Sequence, residues 1–405
     1  MKLHRNIALG IELGLKNTLV EKKPAAGVIK RLFKSNTKWG SRDRKAIGKI
    51  FYDIIRQKRL IEGSLGFKNN ETNTNLLQLI GGWMALNGHI LPDWEEFINI
   101  EIQSVIRNAD RLIKQRKFKY SIPDWLDEMG VEAFGEAIWG KEIEELNRTA
   151  KLVIRVNRII KTSEELKEIL EKNYGIKSAK IDHHRDALII DKHESLRDIK
   201  EYRKGFFEVQ DANSQAISPW LKPKSGKYYI DACAGAGGKS LHIASLTRDN
   251  SKIMALDINE SKLEELKKRV IRNKVESVET KCVINPEVIK SIEANADGLL
   301  IDAPCSGIGV LKRNPDTKWL MNPDRINKIL TIQENILQTY SSLVKKNGEL
   351  VYATCSILPI ENRRQIDNFL NSEKGLAFEF DQDKTYLSHK TGFDGFYCAR
   401  LIRKM

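Results

Sequence analysis

The sequence feature that most constrains the fold is an apolar segment at residues 299–301 that ends in a carboxylate, Asp302, and a nearby thiol, Cys305. A short apolar run of this kind is typical of a buried strand in a parallel sheet. Open α/β folds place their chemistry at the carboxyl ends of such strands, so we expect Asp302 and Cys305 to lie at a sheet edge. A second apolar run, residues 350–353, leads in the same way to Cys355. The chain has only 5 cysteines, so two at predicted strand ends are the main indication of its chemistry.

The carboxy-terminal part of the chain alternates predicted strands with predicted helices. We expect strands at 228–231, 253–257, 298–302 and 349–353, with helices beginning at 241, at 261 and within 323–346. Ser261 and Glu264 predict a capping box at the start of the second of these helices. This alternation favours an α/β fold with a doubly wound, Rossmann-like parallel sheet, in a domain spanning 219–405 after a linker at 219–226.

The composition limits the cellular setting and the kinds of bound group. No apolar run approaches the roughly 20 residues that cross a bilayer, and the first residues lead into no signal-peptide core, so we expect a cytoplasmic protein without a membrane partner. The 5 cysteines lie at long spacings without a Cys-x-x-Cys pair. This spacing argues against a disulfide framework and a structural zinc site, so we expect no metal and reduced thiols.

The positive charge is concentrated at the amino end. The net charge is +14, and residues 1–60 hold 16 Lys and Arg against 4 Asp and Glu, a balance of +12. Such a distribution favours a polyanionic partner that binds through phosphate contacts. A solvated, merely basic helix surface is the alternative.

Two further domains are predicted before the carboxy-terminal one. Residues 1–145 read as all-α, with a helix-start signal at 40–43, a polar loop at 69–75 and helices at 76–86, at 94–112 and from Pro123 onward. Residues 146–218 read as a small α/β module, with strands at 152–157 and 187–190 and a capping box formed by Thr162 and Glu165. The module resembles RNA-recognition (RRM-like) folds, but it lacks their aromatic RNA-binding strand, which weakens the case for an RNA role.

The glycine-rich turn after the strand at 228–231 narrows the choice of cofactor. A dinucleotide-binding Gly-x-Gly-x-x-Gly motif fails because Ser240 replaces its last glycine. A P-loop fails because Cys233 stands where its first glycine is needed. S-adenosylmethionine has no phosphate and needs a tight turn together with an acid for its ribose hydroxyls. The glycines at 235, 237 and 238 and Asp257, at the end of the next strand, meet these needs, whereas each glycine alone could serve a simple helix-capping turn.

Several motifs resemble a known family. Residues 231–239, 302–306 and 354–356 are similar to the signature motifs of the Sun/Fmu (RsmB-like) family of RNA cytosine-C5 methyltransferases. Residues 210–211, 312–319 and 394–397 resemble further blocks, so the resemblance covers 206–405. The amino-terminal domain is more loosely similar to the NusB-like RNA-binding domain of ribosomal members. The resemblance implies S-adenosylmethionine as cofactor and RNA, most simply rRNA, as substrate, and we expect a monomer.

The resemblance also implies the residues that hold the cofactor. Two of them depart from the family pattern, which usually has proline at position 236 and an acid near the adenine, where this chain has Asn285. The residues implied are Cys233, Ala234, Gly235, Ala236, Gly237, Gly238, Lys239, Asp257, Asn285 and Asp302.

The chemistry of cytosine methylation explains why two cysteines matter. Carbon 5 is a poor nucleophile until a thiolate adds to carbon 6, and an acid such as Asp302 stabilises the adduct at N3 and the exocyclic amine. The sequence alone leaves open which cysteine attacks. The resemblance implies that Cys355 is the nucleophile, that Cys305 serves product release and that Lys239 lies near the target base.

Residues elsewhere admit two interpretations. Trp319 and Phe396 suit stacking on a flipped base, although ordinary packing is favoured. Arg313 and Lys318 suit phosphate contacts or simple solvation.

Other functions remain possible at this point. One is a catalytically inactive RNA-binding or ribosome assembly factor that retains the fold, and another is a methyltransferase that acts on tRNA. Methylation of a base amine is disfavoured, because that chemistry uses Asn/Asp-Pro-Pro-aromatic at the strand end and needs no thiol.

Overall fold

The computed structural model describes residues 3–67, 75–191, 196–290, 292 and 294–404. The chain forms two compact units, one of residues 1–148 with 310–323 and the other of 149–309 with 324–405. The polar loop predicted at 69–75 lies outside the described residues except for Asn75, which caps the helix that follows. The predicted division of the chain into three domains, with boundaries after residues 145 and 218, stays a prediction.

Helices form the regular structure of the described residues up to 146, and strands begin at residue 152. The helices before the first strand are α1 (Arg5–Leu15), α2 (Ala25–Ser35), α3 (Ser41–Ser64), α4 (Leu76–Leu86), α5 (Ile102–Leu112), α6 (Arg116–Lys119) and α7 (Asp124–Leu146). The next elements are β1 (Leu152–Val156), α8 (Ser163–Tyr174), β2 (Ser178–Ile181), β3 (His184–Ile190), α9 (Lys200–Arg203), β4 (Phe207–Val209) and α10 (Ala212–Gln215). The remaining elements are β5 (Tyr228–Asp231), α11 (Ser240–Leu246), β6 (Lys252–Asp257), α12 (Glu260–Asn273), β7 (Val278–Cys282), α13 (Pro286–Lys290), β8 (Ala296–Asp302), α14 (Thr317–Leu320), α15 (Pro323–Tyr340), β9 (Val344–Thr354), α16 (Arg363–Leu370), β10 (Phe378–Tyr386), α17 (Ser388–Thr391) and β11 (Phe396–Arg403).

The first unit is organised around α3, which packs against α1, α4, α5 and α6. The helix begins at Ser41 as predicted, because the Asp43 side chain accepts a hydrogen bond from the Gly40 amide at 3.1 Å. The predicted helix at 94–112 is wrong in extent. Only a short turn, Glu95–Phe97, precedes α5, since the chain bends there to bury Phe97 in the core. One face of α3 is apolar and buried, and it consists of Ile47, Ile50, Phe51, Ile54 and Ile55.

Helix α14 belongs to the first unit and carries two side chains for which an RNA contact was considered. Lys318 is 1% exposed, and its Nζ donates to the carbonyl oxygens of Arg56 (2.8 Å) and Tyr120 (3.3 Å) and to Oδ1 of Asn147 (3.1 Å). A phosphate contact by Lys318 is therefore ruled out. Trp319 packs against the core and donates from Nε1 to a backbone carbonyl of α3, which confirms packing rather than base stacking.

The second unit contains two sheets. The smaller is antiparallel with strand order β2-β3-β1-β4, and α8 begins with the predicted capping box of Thr162 and Glu165. The larger has the order β10-β11-β9-β8-β5-β6-β7, in which β5 to β9 run parallel while β10 and β11 pair antiparallel. This arrangement confirms the predicted α/β class with a doubly wound, Rossmann-like sheet.

The parallel strands deliver polar residues to one edge of the larger sheet. Strands β5, β6 and β8 end at Asp231, Asp257 and Asp302, and β9 ends just before Cys355. The helix after β6 begins differently from the prediction. Its cap is Asn259, whose side chain accepts from the Lys262 amide at 3.3 Å, so the capping box predicted from residues 261 and 264 is wrong.

Candidate active site

The two strand-end cysteines face each other. The Sγ atoms of Cys305 and Cys355 are 3.2 Å apart, a distance at which one thiol donates a hydrogen bond to the other sulfur. The hydrogen bond with Cys355 and burial raise the pKa of Cys305 well above its ordinary value. Cys305 therefore keeps its proton and is suited to donate a hydrogen bond to the Cys355 sulfur.

A lysine and a carboxylate lie beside the sulfur pair. Lys239 Nζ donates to Asp302 Oδ2 at 2.5 Å, and the ammonium lies 5.6 Å from the ring centre of the buried Phe396. Burial lowers the pKa of Lys239, but the charge and hydrogen bond of Asp302, with smaller contributions from Asp231 and Cys355, raise it above its ordinary value. The lysine is therefore a cation at neutral pH, held by Asp302 near the Cys355 sulfur.

A buried glutamate that sequence reasoning missed connects the two cysteine loops. Glu361 accepts hydrogen bonds from the Ser306 amide (2.7 Å), from the Ser306 hydroxyl (2.5 Å) and from the Ser356 hydroxyl (2.5 Å). The side-chain amide of Gln333 adds a bond at 3.3 Å. Because the two serines directly follow the two cysteines, Glu361 fixes the loops that carry both sulfurs.

Replacing Glu361 by glutamine is expected to destabilise the protein and to lower its turnover. At Oε2 the new NH2 group would face the N–H donors of Ser306 and Gln333, and at Oε1 it would force both serine hydroxyls to change from donors to acceptors. One unmatched buried polar pair costs about 1–3 kcal/mol. Denaturant unfolding measures the loss against Glu373→Gln, an equivalent change at an exposed position. Equal stability of the two variants would show that Glu361 does not hold these loops.

The glycine-rich turn lies between β5 and α11, and its conformation would let a ligand come close to the backbone. Gly235 and Gly237 have φ of 55° and 79°, and a Cβ at Gly237 would come within 1.9 Å of Leu266. The Gly235 amide donates to Asp257 Oδ2 at 2.8 Å, which joins the turn to the end of β6. The turn brings together the predicted residues Cys233, Ala234, Gly235, Ala236, Gly237, Gly238 and Lys239.

Two arginines hold the carbonyl groups of this turn. Arg155, on β1 of the smaller sheet, donates from Nη1 to the Gly238 carbonyl at 2.5 Å, and burial lowers its pKa to about 10, which leaves it charged at neutral pH. Arg269, on α12, donates to the Ala236 carbonyl at 2.6 Å and is held by Glu208 at 2.9 Å. Because the Ala236 and Gly238 carbonyls are both held by arginines, the turn is fixed in one conformation.

A second carboxylate lies beneath the turn. Asp231 is fully buried, and its Oδ2 accepts from the Ser240 hydroxyl at 2.6 Å, while its Oδ1 has no partner among the described residues. Burial raises the pKa of Asp231 to about 7; Asp302 acts in the same direction, while Ser240 and Lys239 oppose it. An unpartnered buried carboxylate oxygen fits a cationic ligand group.

One predicted cofactor residue lies apart from these contacts. Asn285 is exposed, and its Oδ1 accepts from the Val288 amide at 3.3 Å at the start of α13. Its predicted contact with adenine stays a prediction.

Neither metal nor membrane sites are found in the parts of the chain that the structure describes. Within those parts, no group of three or more His, Cys, Asp or Glu side chains is arranged to hold a metal ion. No described helix combines the length and apolarity needed to cross a bilayer.

Comparison with known proteins identifies the family. Residues 218–402 match the family described as 16S rRNA methyltransferase RsmB/F, and residues 122–197 match the family described as Methyltr_RsmF/B-like, ferredoxin-like domain. The chain is 32% identical to ribosomal RNA small subunit methyltransferase B of Proteus mirabilis, over 81% of this chain and 77% of the relative. It is also 32% identical to the Vibrio cholerae protein of that name, over 90% of each chain.

Solved structures agree with this fold. The crystal structure of PH0851 has a TM-score of 0.78 at 25% identity and covers 99% of this chain and 100% of its own. NSun6 from Pyrococcus horikoshii, solved with SFG, has a TM-score of 0.64 at 19% identity and covers 70% of this chain and 98% of its own, a likeness in fold alone. The chain therefore belongs to the RsmB/F family of S-adenosylmethionine-dependent rRNA methyltransferases.

Proposed function

We propose that this chain methylates carbon 5 of a cytosine in rRNA through a covalent bond between Cys355 and carbon 6 of the base. The single observation that carries the proposal is the 3.2 Å distance between the Cys305 and Cys355 sulfurs, next to the Lys239–Asp302 ion pair. A base-amine methyltransferase needs no thiol, whereas cytosine-C5 chemistry needs a thiolate for attack and assistance for its departure.

Cys355 acts as the nucleophile in this proposal. Its thiolate, next to the Lys239 cation, adds to carbon 6, and the electrons of the C5–C6 double bond move to carbon 5 and into the ring. Asp302, bonded to Lys239, accepts a hydrogen bond from the exocyclic amine and passes a proton taken from solvent to N3 as the ring gains negative charge, which stabilises the adduct. Carbon 5 is then able to take a methyl group.

Cys305 assists the reverse step. Loss of the carbon 5 proton to a base re-forms the C5–C6 double bond, and the electron pair of the C6–S bond returns to the Cys355 sulfur. Because the pKa of Cys305 is raised by its hydrogen bond with Cys355 and by burial, its thiol is protonated and donates to the departing sulfur. That hydrogen bond makes Cys355 a better leaving group.

The residues around the glycine turn fit S-adenosylmethionine, which when bound supplies a methyl group made electrophilic by a sulfonium. Both Gly235 and Gly237 have positive φ, which favours glycine, and a side chain at Gly237 would collide with Leu266, so the turn lets a ligand approach the backbone closely. Asp257 ends β6, and its carboxylate, held by the Gly235 and Asn259 amides, would accept hydrogen bonds from the ribose hydroxyls. The free Oδ1 of Asp231 suits the cationic amino group of the ligand. These residues, with Lys239, Asp302 and Asn285, form the proposed cofactor site.

Cofactor affinity is expected to rise with pH, because Asp231 has a pKa of about 7. Below that pH the carboxyl is neutral, and above it the negative charge attracts an amino group that is still cationic. The dissociation constant for S-adenosylmethionine should fall about tenfold between about pH 6 and pH 8. Calorimetry on the native protein and on Asp231→Asn measures this, and the variant should bind weakly with little pH dependence. An equal pH dependence in both proteins would contradict a role for Asp231.

The RNA is proposed to bind partly through the first unit. Several basic side chains of α2, of the segment leading into α3 and of the first turn of α3 are exposed, as the charge excess of residues 1–60 predicts for contact with phosphates. They are Lys30, Arg31, Lys34, Lys38 and Arg42.

Methylation of RNA transcripts that carry 5-fluorocytidine tests the proposal directly. Fluorine at carbon 5 cannot leave as a proton does, so a Cys355 adduct should survive a denaturing gel only when S-adenosylmethionine is present. Bisulfite sequencing of rRNA from cells with and without the gene then locates the cytosine. Methylation without any adduct would overturn the covalent step. If the protein binds RNA but not the cofactor, the result would favour an inactive RNA-binding factor. If it methylates tRNA instead of rRNA, the substrate is tRNA.

A further inference from the structure

A basic cleft lies in the second unit, away from the cysteines, and has no part in the chemistry above. It has a volume of about 550 Å³. It is lined by the β2–β3 hairpin, by the segment between β1 and α8 with the start of α8, and by Arg248, which lies two residues after the end of α11. Its cations are Arg158, Lys161, Lys180, Arg185 and Arg248. Three acids also line it, Glu164, Asp182 and Asp186, so the cations are in excess before its two histidines are counted.

The pairing of these charges leaves two guanidinium groups available. Lys180 is bonded to Glu164, and Arg158 Nε lies 3.4 Å from Asp186 Oδ1. By contrast, Arg185 and Arg248 are exposed, and neither side chain makes a hydrogen bond or an ion pair to any residue in the described part of the chain. A guanidinium presents a planar fork of donors that matches two phosphate oxygens, so these arginines are suited to bind a phosphate.

The buried residues at the floor of the cleft do not neutralise Arg185 and Arg248, because they pair with one another. Asp186 is 5% exposed and lies between Arg158 and His242 Nε2, which is 3.5 Å from its Oδ2. Burial lowers the pKa of His242 to about 4, so the imidazole is neutral and Arg158 is the cation that balances Asp186. The Asp186 charge is therefore balanced by Arg158, although Asp186 Oδ1 and both ring nitrogens of His242 make no hydrogen bond among the described residues.

Backbone contacts fix the positions from which the two free arginines project. The Arg185 carbonyl accepts from the Ser163 hydroxyl at 3.1 Å, which ties the hairpin to the start of α8. Arg248 and Asp249 are both left-handed, with φ of 51° and 59°, in a turn closed by the Asp249 amide donating to the Ala244 carbonyl at 2.7 Å. Preorganised donors of this kind lose less entropy when they bind a phosphate.

We propose that this cleft binds the phosphate backbone of the RNA substrate outside the segment that enters the active site, an inference that rests on the proposed function. Helix α11 begins next to Lys239 and ends two residues before Arg248, and its seven residues span about 10 Å. One RNA molecule can therefore reach both places. The small α/β module thus gains an RNA role through its hairpin and loop, although its sequence lacks an aromatic RNA-binding strand.

The test compares two double variants on two RNAs. Arg185→Ala with Arg248→Ala removes the free guanidinium groups, and Arg203→Ala with Lys204→Ala removes two exposed charges of the same module outside the cleft. On a long rRNA fragment, the cleft variant should raise KM and Kd about tenfold and make log Kd less steep against log salt by about 1, while kcat and S-adenosylmethionine affinity stay unchanged. On a short oligonucleotide that holds only the target, it should match the native protein.

The outcomes separate this inference from the proposed function. If the cleft variant binds the long RNA with unchanged Kd and salt dependence, RNA binding by the cleft is overturned. An equal loss of affinity in the control variant would overturn it as well. Equal loss on both RNAs would place the arginines at the active site and also overturn it. If neither the native protein nor either variant methylates RNA, but the cleft variant still binds the long fragment more weakly than the control variant does, the proposed function fails and the RNA-binding cleft stands. Thermal unfolding checks that each variant folds.

Discussion

Replacing Cys355 by alanine is expected to abolish RNA methylation, with a fall in kcat of about 10³-fold or more. Without the thiolate, carbon 5 of cytosine is not activated. Cys305 does not substitute, because burial still raises the pKa of its thiol after the hydrogen bond with Cys355 is lost. The variant should bind RNA and S-adenosylmethionine as the native protein does. Transfer of a labelled methyl group to an rRNA fragment measures the loss.

The matched control is Cys282→Ala, which removes a cysteine that lies at the end of β7, 3.7 Å from the Ile258 carbonyl. It should keep native activity. If Cys305→Ala were inactive without forming an adduct and Cys355→Ala trapped the RNA, the two cysteines would have exchanged roles. Activity in both single variants would remove the covalent mechanism altogether.

The sheet and the meeting of the two cysteines were predictable because parallel strands carry strong local signals. Short apolar runs that end in an acid or a thiol predict buried strands, and parallel pairing brings their carboxyl ends to one edge. The strand ends at Asp231, Asp257 and Asp302 follow from this rule. So does the approach of Cys305 to Cys355, since β8 and β9 are neighbours in the sheet.

The rest depended on contacts between residues far apart in the chain. Lys318 reads as an exposed cation, yet in the first unit it satisfies three acceptors from distant segments. Arg155 gives no sequence signal for its bond to the Gly238 carbonyl, 83 residues away. Glu361 could have been suspected, because an acid in the short segment after Cys355 that leads into α16 has few local partners. Its bonds to both serines become visible only when β8 and β9 are side by side.

Replacing Cys305 by alanine is expected to leave the protein bonded to its RNA. Attack by Cys355 still occurs, but the departing sulfur loses the hydrogen bond at 3.2 Å that stabilises it. Turnover should fall about 100-fold or more, and a protein–RNA adduct should accumulate on denaturing gels. Adding Cys355→Ala to this variant should remove the adduct.

Serine at position 305 separates donation of a hydrogen bond from removal of the carbon 5 proton. A hydroxyl still donates to the departing sulfur, whereas it is too weakly acidic to form the anion that a general base would require. If Cys305 acts as a donor, Cys305→Ser should release RNA faster than Cys305→Ala does, and the adduct on the gel should be correspondingly weaker. Equal trapping by serine and alanine would instead assign Cys305 the task of taking the proton, because only a thiolate at that position could then complete the reaction.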